Sequence, residues 1–321
     1  MHDHQLEAKA IEQALDRAEK ILIISHQSPD GDTVGSANAW AELLLQQGKQ
    51  IQLFCLHPVP ANINYLPHSH RYTAEERIFD LHFDLVLVVD SSSLEYAGVH
   101  ELIPNLAGQP IIINIDHHIT NTQFGHHNLV IVAASSTCEI ITRLFRHWNI
   151  EISPRLANCL LTGIITDTSG LKNPATKHLT LEITAHLIQQ GADLYDIYRA
   201  THHQKSMGQL QIWGLALSRL QKNQRYNIAI TYINDDDLRQ LGETTESLEG
   251  LANYLAVLQE ADVVLVLKQD QDVIRGSFRT PFDHIDVSRL AQVMGGGGHK
   301  KAAGFILPGK LVIQSGKIMI E

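Results

Sequence analysis

The chain has 321 residues, 44% of them hydrophobic and 19% charged, which is long enough for two domains and typical of a folded globular protein. Its formal net charge of -10 argues against a protein that coats long duplex nucleic acid, because that role needs a surplus of Lys and Arg. A small phosphate-bearing substrate is not excluded, since acidic residues can hold cations that attract phosphate.

The N-terminal segment and the cysteines indicate a cellular compartment. The segment MHDHQLEAKAIEQALDRAEK is polar, and no later stretch approaches the length of a membrane span. Cys55, Cys138 and Cys159 are odd in number and lie in apolar contexts, which favours buried free thiols over a disulfide framework. We therefore expect a protein of the reducing cytoplasm that does not bind membranes.

The N-terminal half of the chain alternates predicted helices with apolar strands. Helical spacing of apolar residues predicts a helix over residues 5–20, and a second helix is predicted over TVGSANAWAELLLQQG, ending at Gly48. The predicted strands are ILIIS, IQLFC, FDLVLVVD and PIIINID. Strands that are apolar throughout and alternate with helices predict an α/β fold, in which helices flank a parallel sheet.

The pattern changes after Ser135. Three helical segments follow, and a polar stretch at 196–220 predicts a helical linker. The segments YNIAITYI, ADVVLVLKQD and VIRGSFRT then predict strands separated by helices, in a smaller α/β domain with a mixed sheet. The predicted organisation is a first domain at 1–195, the linker, and a second domain at 221–321.

Acidic and histidine side chains cluster in four short motifs, three of which come directly after predicted strands. The motifs are SHQSPDGDTVGS with His26, Asp30 and Asp32, VVDSSS with Asp90, NIDHHIT with Asp116, His117 and His118, and GIITDTSG with Asp167. Ligands of parallel sheets bind beyond the carboxyl ends of the strands, so we expect these side chains to converge. Taken singly, each Asp could instead be a helix cap or turn residue, whereas the Asp-His-His run is poorly explained by packing.

Together the four motifs provide the ligands of a two-metal site. Mixed histidine and carboxylate ligation suits Mn²⁺ and tolerates Mg²⁺, and the cysteine spacing excludes a four-sulfur zinc site. A pair of cations about 3.5 to 4 Å apart can bind both an attacking water and a phosphoryl oxygen. Phosphoester hydrolysis is the reaction that such a site predicts.

The four motifs, in this order, resemble those of the DHH phosphoesterase superfamily, and the ending GGGGHKKAAGF resembles the signature of its DHH-associated C-terminal domain. The resemblance covers essentially the whole chain. Length and the Gly-rich ending are similar to the bacterial oligoribonuclease and pAp-phosphatase subfamily, which trims very short RNA and 3'-phosphoadenosine 5'-phosphate (pAp). Type II pyrophosphatases share the four motifs but lack this ending.

The resemblance implies a role for each motif residue and two Mn²⁺ ions, with Mg²⁺ or Co²⁺ as substitutes. Asp90 would bridge the ions, His118 would face the substrate phosphate, and Asp116 would orient the histidines. The implied ligands of one ion are His26, Asp30 and Asp90, and those of the other are Asp32, Asp90, His117 and Asp167.

The second domain is expected to bind the substrate. Consecutive glycines let backbone N–H groups approach a phosphate, and the guanidinium of Arg279 suits phosphate or a base. Where the family often has an aromatic residue and an Arg near the substrate, this chain has Leu171 and Lys172. The candidate substrate-binding residues are Lys172, Arg279, Gly296, Gly297, Gly298 and His299.

The leading hypothesis is hydrolysis of short oligoribonucleotides, of pAp, or of both. A cleft between two domains would suit a short substrate better than a long polymer. Two alternatives stay open: a phosphodiesterase of cyclic or linear dinucleotides or a polyphosphatase, and a noncatalytic nucleotide-binding sensor. The sequence also leaves open whether two copies form a homodimer.

Overall fold

A computed structural model describes residues 4–202, 206–314 and 317–321. The chain divides into two units, Met1–Gln204 and Lys205–Glu321. The stretch predicted as a helical linker, 196–220, includes most of one helix, Leu194–His202, and all of another, Met207–Ser218. Residues 203–205 of that stretch lie outside the described residues.

The first unit contains a sheet of six parallel strands in the order β3-β2-β1-β4-β5-β6. Every residue of β4 is buried, as expected for a strand covered on both faces. The strands are β1 (Lys20–Ile24), β2 (Gln50–Phe54), β3 (Tyr72–Thr73), β4 (Leu85–Val89), β5 (Ile111–Asp116) and β6 (His127–Val130).

Among its described residues this unit has seven α-helices, and most of its core lies between them and the sheet. Trp40 and Phe145 are fully buried there, with their rings 5.0 Å apart, edge to face. A second apolar cluster around Phe54 and Phe79 covers the other face. The helices are α1 (Gln5–Arg17), α2 (Gly31–Gln46), α3 (Leu94–Ala97), α4 (Thr137–His147), α5 (Pro154–Asp167), α6 (His178–Gln189) and α7 (Leu194–His202).

In the part of the chain that the structure describes, the second unit is a mixed sheet with four α-helices. Its strand order is β11-β12-β10-β9-β8-β7, in which β8 and β9 pair in parallel and the other neighbours pair antiparallel. The strands β13 and β14 form a separate antiparallel pair. The strands are β7 (Gln221–Asn223), β8 (Ile228–Ile233), β9 (Val263–Asp270), β10 (Val273–Arg279), β11 (Gly297–His299), β12 (Ala302–Pro308), β13 (Leu311–Gln314) and β14 (Lys317–Ile320). The helices are α8 (Met207–Ser218), α9 (Asp235–Leu241), α10 (Leu251–Leu255) and α11 (Val287–Val293).

The predicted fold class is confirmed, with a parallel sheet flanked by helices in the first unit and a mixed sheet in the second. The apolar runs chosen as strands correspond to β1, β2, β4 and β5. Among the helices of the described residues, none is long and apolar enough to cross a membrane.

Candidate metal centre

Three neighbouring strands of the parallel sheet end in acidic or histidine residues. His26 lies two residues beyond β1, Asp90 directly follows β4, and Asp116 is the last residue of β5. Because β4 pairs with both β1 and β5, these ends meet at one edge of the sheet. The first turn of α2 and the last residue of α5, Asp167, complete the cluster.

The first group of potential metal ligands consists of His26, Asp30 and Asp90, whose ligand atoms all lie within 4.8 Å of one another. His26 Nε2 is 3.7 Å from Asp30 Oδ2 and 3.4 Å from Asp90 Oδ2. Burial lowers the pKa of His26, but hydrogen bonding to Asp30 and Asp90 outweighs it and raises the pKa to about 10. The imidazole therefore lies in a strongly negative environment.

The second group consists of Asp32, His117 and Asp167, again within 4.8 Å of one another. His117 Nε2 is 3.6 Å from Asp167 Oδ2 and 3.7 Å from Asp90 Oδ1, so Asp90 adjoins both groups. The structure thus brings together all the residues that the sequence predicted as metal ligands. His118 lies with Asp90 and His117 in a third, overlapping group.

The electrostatics of the cluster fit bound divalent cations. Burial raises the pKa of Asp32 well above its ordinary value, and the charges of Asp90 and Asp30 raise it further. Burial and the charge of Asp32 raise the pKa of Asp167 to about 8, although His117 opposes them. Carboxylates this close repel one another, and imidazole nitrogen with carboxylate oxygen is a donor set suited to Mn²⁺ and Mg²⁺.

The helix-cap interpretation is correct for Asp30 but not for Asp90. Asp30 is the N-cap of α2, since its side chain accepts hydrogen bonds from the backbone N–H groups of Asp32 and Thr33. Asp90 caps none of the described helices: Ser93 caps α3, and Asp90 adopts a left-handed backbone with φ of +55°. Such a conformation is costly for a residue with a side chain and is concentrated at functional sites.

His118 is held by Asp116, which is fully buried. His118 Nδ1 lies 2.7 Å from Asp116 Oδ1, and Asn121 Nδ2 donates to Asp116 Oδ2 at 2.6 Å. The hydrogen bond with Asp116 is the main cause that raises the pKa of His118 to about 9. Of the two histidines, His118 is the one that pairs with Asp116 in this way. Asn121 is a partner that sequence reasoning missed, although it directly follows the motif NIDHHIT.

Close packing of α2 against α5 positions the acidic residues of both helices. A Cβ on Gly163 of α5 would lie 2.6 Å from Asp32 Oδ1, and one on Gly35 of α2 would lie 2.5 Å from the carbonyl oxygen of Cys159. Glycine is therefore required at both contacts. These glycines carry no sequence signal of their own, because their role depends on which helices pack together.

Two further contacts of the centre were not anticipated. The ring of Tyr96 packs on the imidazole of His26, with 5.1 Å between the ring centroids, and its centroid lies 6.0 Å from that of the His118 imidazole. The N-terminal turn of α4, at Thr137 and Cys138, donates hydrogen bonds to Asp32 and Asp90. The pattern Ser136-x-x-Glu139 signals the start of a helix there, but not what that start contacts.

The candidate substrate-binding residues fall in both units. Lys172 is exposed in the turn after Asp167. In the second unit the Gly-rich segment is an edge strand, β11, and Ala302 of β12 pairs with both His299 and Arg279. Residues directly opposite in antiparallel strands share a face, so His299 and Arg279 lie on one face, about 10 Å apart across two strands.

The backbone of the Gly-rich segment has special geometry at two of its positions. Gly298 has φ of +141°, and a Cβ on Gly296 would lie 2.1 Å from the carbonyl oxygen of Gly304. Only glycine fits there without displacing β12. Arg279, at the end of β10, donates from Nε to Asn253 Oδ1 at 2.6 Å.

Comparison with known proteins agrees with this architecture. Residues 20–164 match the DHH family N-terminal domain, and residues 215–317 match the DHHA1 domain. The bifunctional oligoribonuclease and PAP phosphatase NrnA of Thermus thermophilus is 26% identical, over 94% of this chain and 88% of the relative. The Mycoplasma pneumoniae protein of the same name is 25% identical, over 92% and 90%.

A solved structure shares the fold. The exopolyphosphatase-related protein of Bacteroides fragilis superimposes with a TM-score of 0.85 and 26% identity, over 94% of this chain and 91% of that one. The two domain matches follow one another along the chain, and the motif residues of the first domain meet at one edge of its sheet. The chain therefore has a DHH family N-terminal domain followed by a DHHA1 domain.

Proposed function

We propose that this protein hydrolyses phosphoester bonds in short oligoribonucleotides and in pAp, using two divalent cations. The observation that carries the proposal is the pair of adjacent ligand groups, His26, Asp30 and Asp90 beside Asp32, His117 and Asp167. The names of the NrnA relatives, which cover most of this chain, support the choice of substrates.

The proposed ligands of one cation are His26, Asp30 and Asp90, and those of the other are Asp32, Asp90, His117 and Asp167. Mn²⁺ is the preferred ion because histidine ligation favours a softer cation than Mg²⁺, and Mg²⁺ or Co²⁺ are the substitutes. When bound, such cations would activate water and neutralise charge on the phosphoryl group. Mutual repulsion among the carboxylates supports this role, since bound cations relieve it.

His118 is the proposed proton donor to the leaving oxygen. Its Nδ1 is engaged by Asp116, which leaves Nε2 for the substrate, and the hydrogen bond to the Asp116 carboxylate favours the protonated imidazole. Asp116 is in turn held by Asn121, so that the orientation of the ring is fixed. This network supports general acid catalysis by His118, with Asp116 as its positioning residue.

The second unit is the proposed substrate-binding domain, with bounds near 221–321, and the first, near 1–195, is the catalytic domain. His299 and Arg279 share one face of the mixed sheet, and the glycines of β11 expose their backbone beside them. Cationic and N–H donors so arranged suit a nucleotide phosphate. Lys172, in the turn after Asp167, is the proposed contact from the first unit.

We also propose that the protein works in the cytoplasm. Its three cysteines, Cys55, Cys138 and Cys159, are all buried free thiols, which suits a reducing compartment.

Product analysis by chromatography tests the proposed function. We expect release of AMP and phosphate from pAp, and of AMP from pApA, with activity abolished by EDTA and restored better by Mn²⁺ than by Mg²⁺. Cyclic diadenylate and polyphosphate belong in the same assay. Preferential hydrolysis of either one would replace our substrate assignment, and binding of all four without turnover would indicate a nucleotide sensor.

A further inference from the structure

The first turn of α4 is hydrogen-bonded to two carboxylates of the metal centre. The backbone N–H groups of Thr137 and Cys138 donate to Asp32 Oδ2 at 2.6 Å and to Asp32 Oδ1 at 2.9 Å. The hydroxyl Oγ1 of Thr137 donates to Asp90 Oδ1 at 3.0 Å. One helix terminus therefore holds a carboxylate from each of the two ligand groups.

Every partner in these contacts is removed from solvent. Thr137 and Cys138 are fully buried, and Asp32 and Asp90 are 1% and 2% exposed. A hydrogen bond to a charged group is stronger in such an environment, and losing the donor leaves the carboxylate oxygen without a replacement from water.

Capping and helix formation do not account for the Thr137 hydroxyl. Ser136 is the N-cap of α4, and its side chain accepts the hydrogen bond from the backbone of Glu139. Thr142, on the same helix, shows the usual behaviour of a helical threonine, since its hydroxyl donates to the carbonyl of Cys138 four residues earlier. The hydroxyl of Thr137 instead leaves its own helix and bonds Asp90.

The helix terminus is itself fixed by a buried network. Glu139 Oε2 accepts hydrogen bonds from the backbone and hydroxyl of Ser135, at 3.2 and 2.7 Å, and from Thr180 Oγ1 of α6 at 2.9 Å. Because Ser135 precedes the helix and Thr180 belongs to another one, this network ties the start of α4 to the rest of the unit.

We propose that Thr137 is a positioning residue of the metal centre, whose hydroxyl fixes Asp90 while the adjoining N–H groups of α4 fix Asp32. Asp90 Oδ1 is bonded to this hydroxyl, and Asp90 Oδ2 faces His26, so rotation of the bridging carboxylate is restricted. The inference rests on the proposed function, because it assigns to Thr137 an effect on the binding of cations by Asp90 and Asp32. Removing such an outer hydrogen bond lowers metal affinity about 10- to 100-fold.

The test compares Mn²⁺ binding by calorimetry in the full chain. Thr137→Val keeps the shape of the side chain and removes only the donor, so we expect its Mn²⁺ affinity and its kcat for pAp to fall about 10- to 100-fold. Thr137→Ser keeps a hydroxyl donor, so we expect its Mn²⁺ affinity and its kcat to stay within about threefold of the wild-type values. Circular dichroism and the unfolding midpoint of the metal-free proteins check that the variants fold.

Thr142→Val is the matched control, because it removes a buried threonine hydroxyl from the same helix without touching Asp90. The proposal would be overturned if Thr137→Val bound Mn²⁺ as tightly as the wild type. It would also be overturned if Thr142→Val or Thr137→Ser lost as much Mn²⁺ affinity as Thr137→Val. If Thr137→Val is poorly folded, Thr137→Ala removes the same donor. Loss of Mn²⁺ affinity in Thr137→Ala with retention in Thr137→Ser then supports the proposal, and equal affinity in the two overturns it. Absence of Mn²⁺ binding in the wild type would instead refute the proposed function on which the inference rests.

Discussion

Asp90 is the residue on which both proposed metal sites depend, and its substitution separates catalysis from folding. In Asp90→Asn the side chain keeps its size, and asparagine tolerates the left-handed backbone with φ of +55°. We expect phosphoesterase activity to fall at least about 100-fold, because the proposed bridging carboxylate is lost. The metal-free protein should unfold at a higher temperature, since repulsion with Asp32 and Asp167 is relieved.

Asp80→Asn is a suitable control, because Asp80 is exposed and lies outside the metal centre. Activity assays and calorimetric unfolding with and without Mn²⁺ give both readouts. Activity close to that of the wild type in Asp90→Asn, under saturating Mn²⁺, would show that Asp90 is not a bridging ligand.

At the scale of single residues, the sequence predicted the acidic cluster but not the residues that hydrogen-bond to it. His26, Asp90 and Asp116 could be found because buried parallel strands point their carboxyl ends to one edge, so position along the chain determines position in space. Thr137 and Asn121 could not be found in this way. Their hydrogen bonds depend on how α4 and the turn after β5 pack, which local patterns do not encode.

At the scale of elements, the approach of α2 to α5 determines the geometry of the second ligand group. In Gly163→Ala the new Cβ would lie 2.3 Å from Cys138 Sγ and 2.6 Å from Asp32 Oδ1, so Asp32 must move. We expect Mn²⁺ affinity and activity to fall together, and unfolding free energy to fall by about 1–3 kcal/mol. Calorimetric titration and urea unfolding measure the two effects.

Substitutions of two other glycines provide comparisons for Gly163→Ala. Gly35→Ala should destabilise the first unit through the same helix pair with a smaller effect on Mn²⁺ affinity, because its Cβ would meet the carbonyl of Cys159 and not Asp32. Gly214→Ala, at an exposed position of α8 where the new Cβ would meet no other part of the unit within 4 Å, should stabilise the second unit by about 0.5–1 kcal/mol. Loss of Mn²⁺ affinity in Gly35→Ala equal to that in Gly163→Ala would contradict our account of Asp32.

The second unit contains an ion pair that makes its stability depend on pH. Arg219, after α8, donates to Asp237 of α9, with 2.8 Å between Arg219 Nη2 and Asp237 Oδ1. Burial raises the pKa of Asp237, but the hydrogen bond from Arg219 and one from the backbone of Asn234 outweigh it and hold the pKa below its ordinary value. The stabilisation is therefore present above the unfolded-state pKa and is lost as pH falls through the folded-state pKa.

Asp237→Asn tests this linkage. We expect the variant to be less stable than the wild type by about 1–2 kcal/mol at pH 7, since the pair is partly exposed and contributes less than a fully buried one. The difference should shrink as pH falls below about 4, the ordinary pKa of an aspartate, because the unfolded state then binds a proton before the folded state does. Urea unfolding at a series of pH values measures it, and a difference independent of pH would rule out the ionised pair as the cause.

At the scale of the whole molecule, the order of motifs along the chain predicted a DHH domain followed by a DHHA1 domain, and both are present. The fold class followed from apolar strands alternating with helices in the first half and from strand-rich segments in the second. The edge-strand conformation of the Gly-rich segment did not follow, because glycine runs are equally typical of loops. Its pairing with β12 is a tertiary contact, which fixes His299 opposite Ala302 and thereby on the face of Arg279.

His299→Ala tests the proposed division of work between the two units. If His299 contacts the phosphate or sugar of a nucleotide, the variant should show a higher KM for pAp and for dinucleotides, with unchanged Mn²⁺ binding in the first unit. A lost hydrogen bond to a charged group corresponds to about a ten- to hundredfold decrease in kcat/KM. Hydrolysis of bis-p-nitrophenyl phosphate, which offers only the reacting phosphodiester and two aryl groups, should be almost unaffected.

Comparing rates on pAp with rates on bis-p-nitrophenyl phosphate decides whether His299 contacts the nucleotide, because each substrate serves as the control for the other. His284→Ala provides a second control, as a histidine of the same unit outside β11 and β12. Equal losses on pAp and on bis-p-nitrophenyl phosphate would place the effect of His299 on the chemistry of the metal centre or on folding. Equal rates of the variant and the wild type on pAp would mean that β11 has a structural role alone. Substrate selection would then lie with the first unit, and Lys172 would be the next residue to replace.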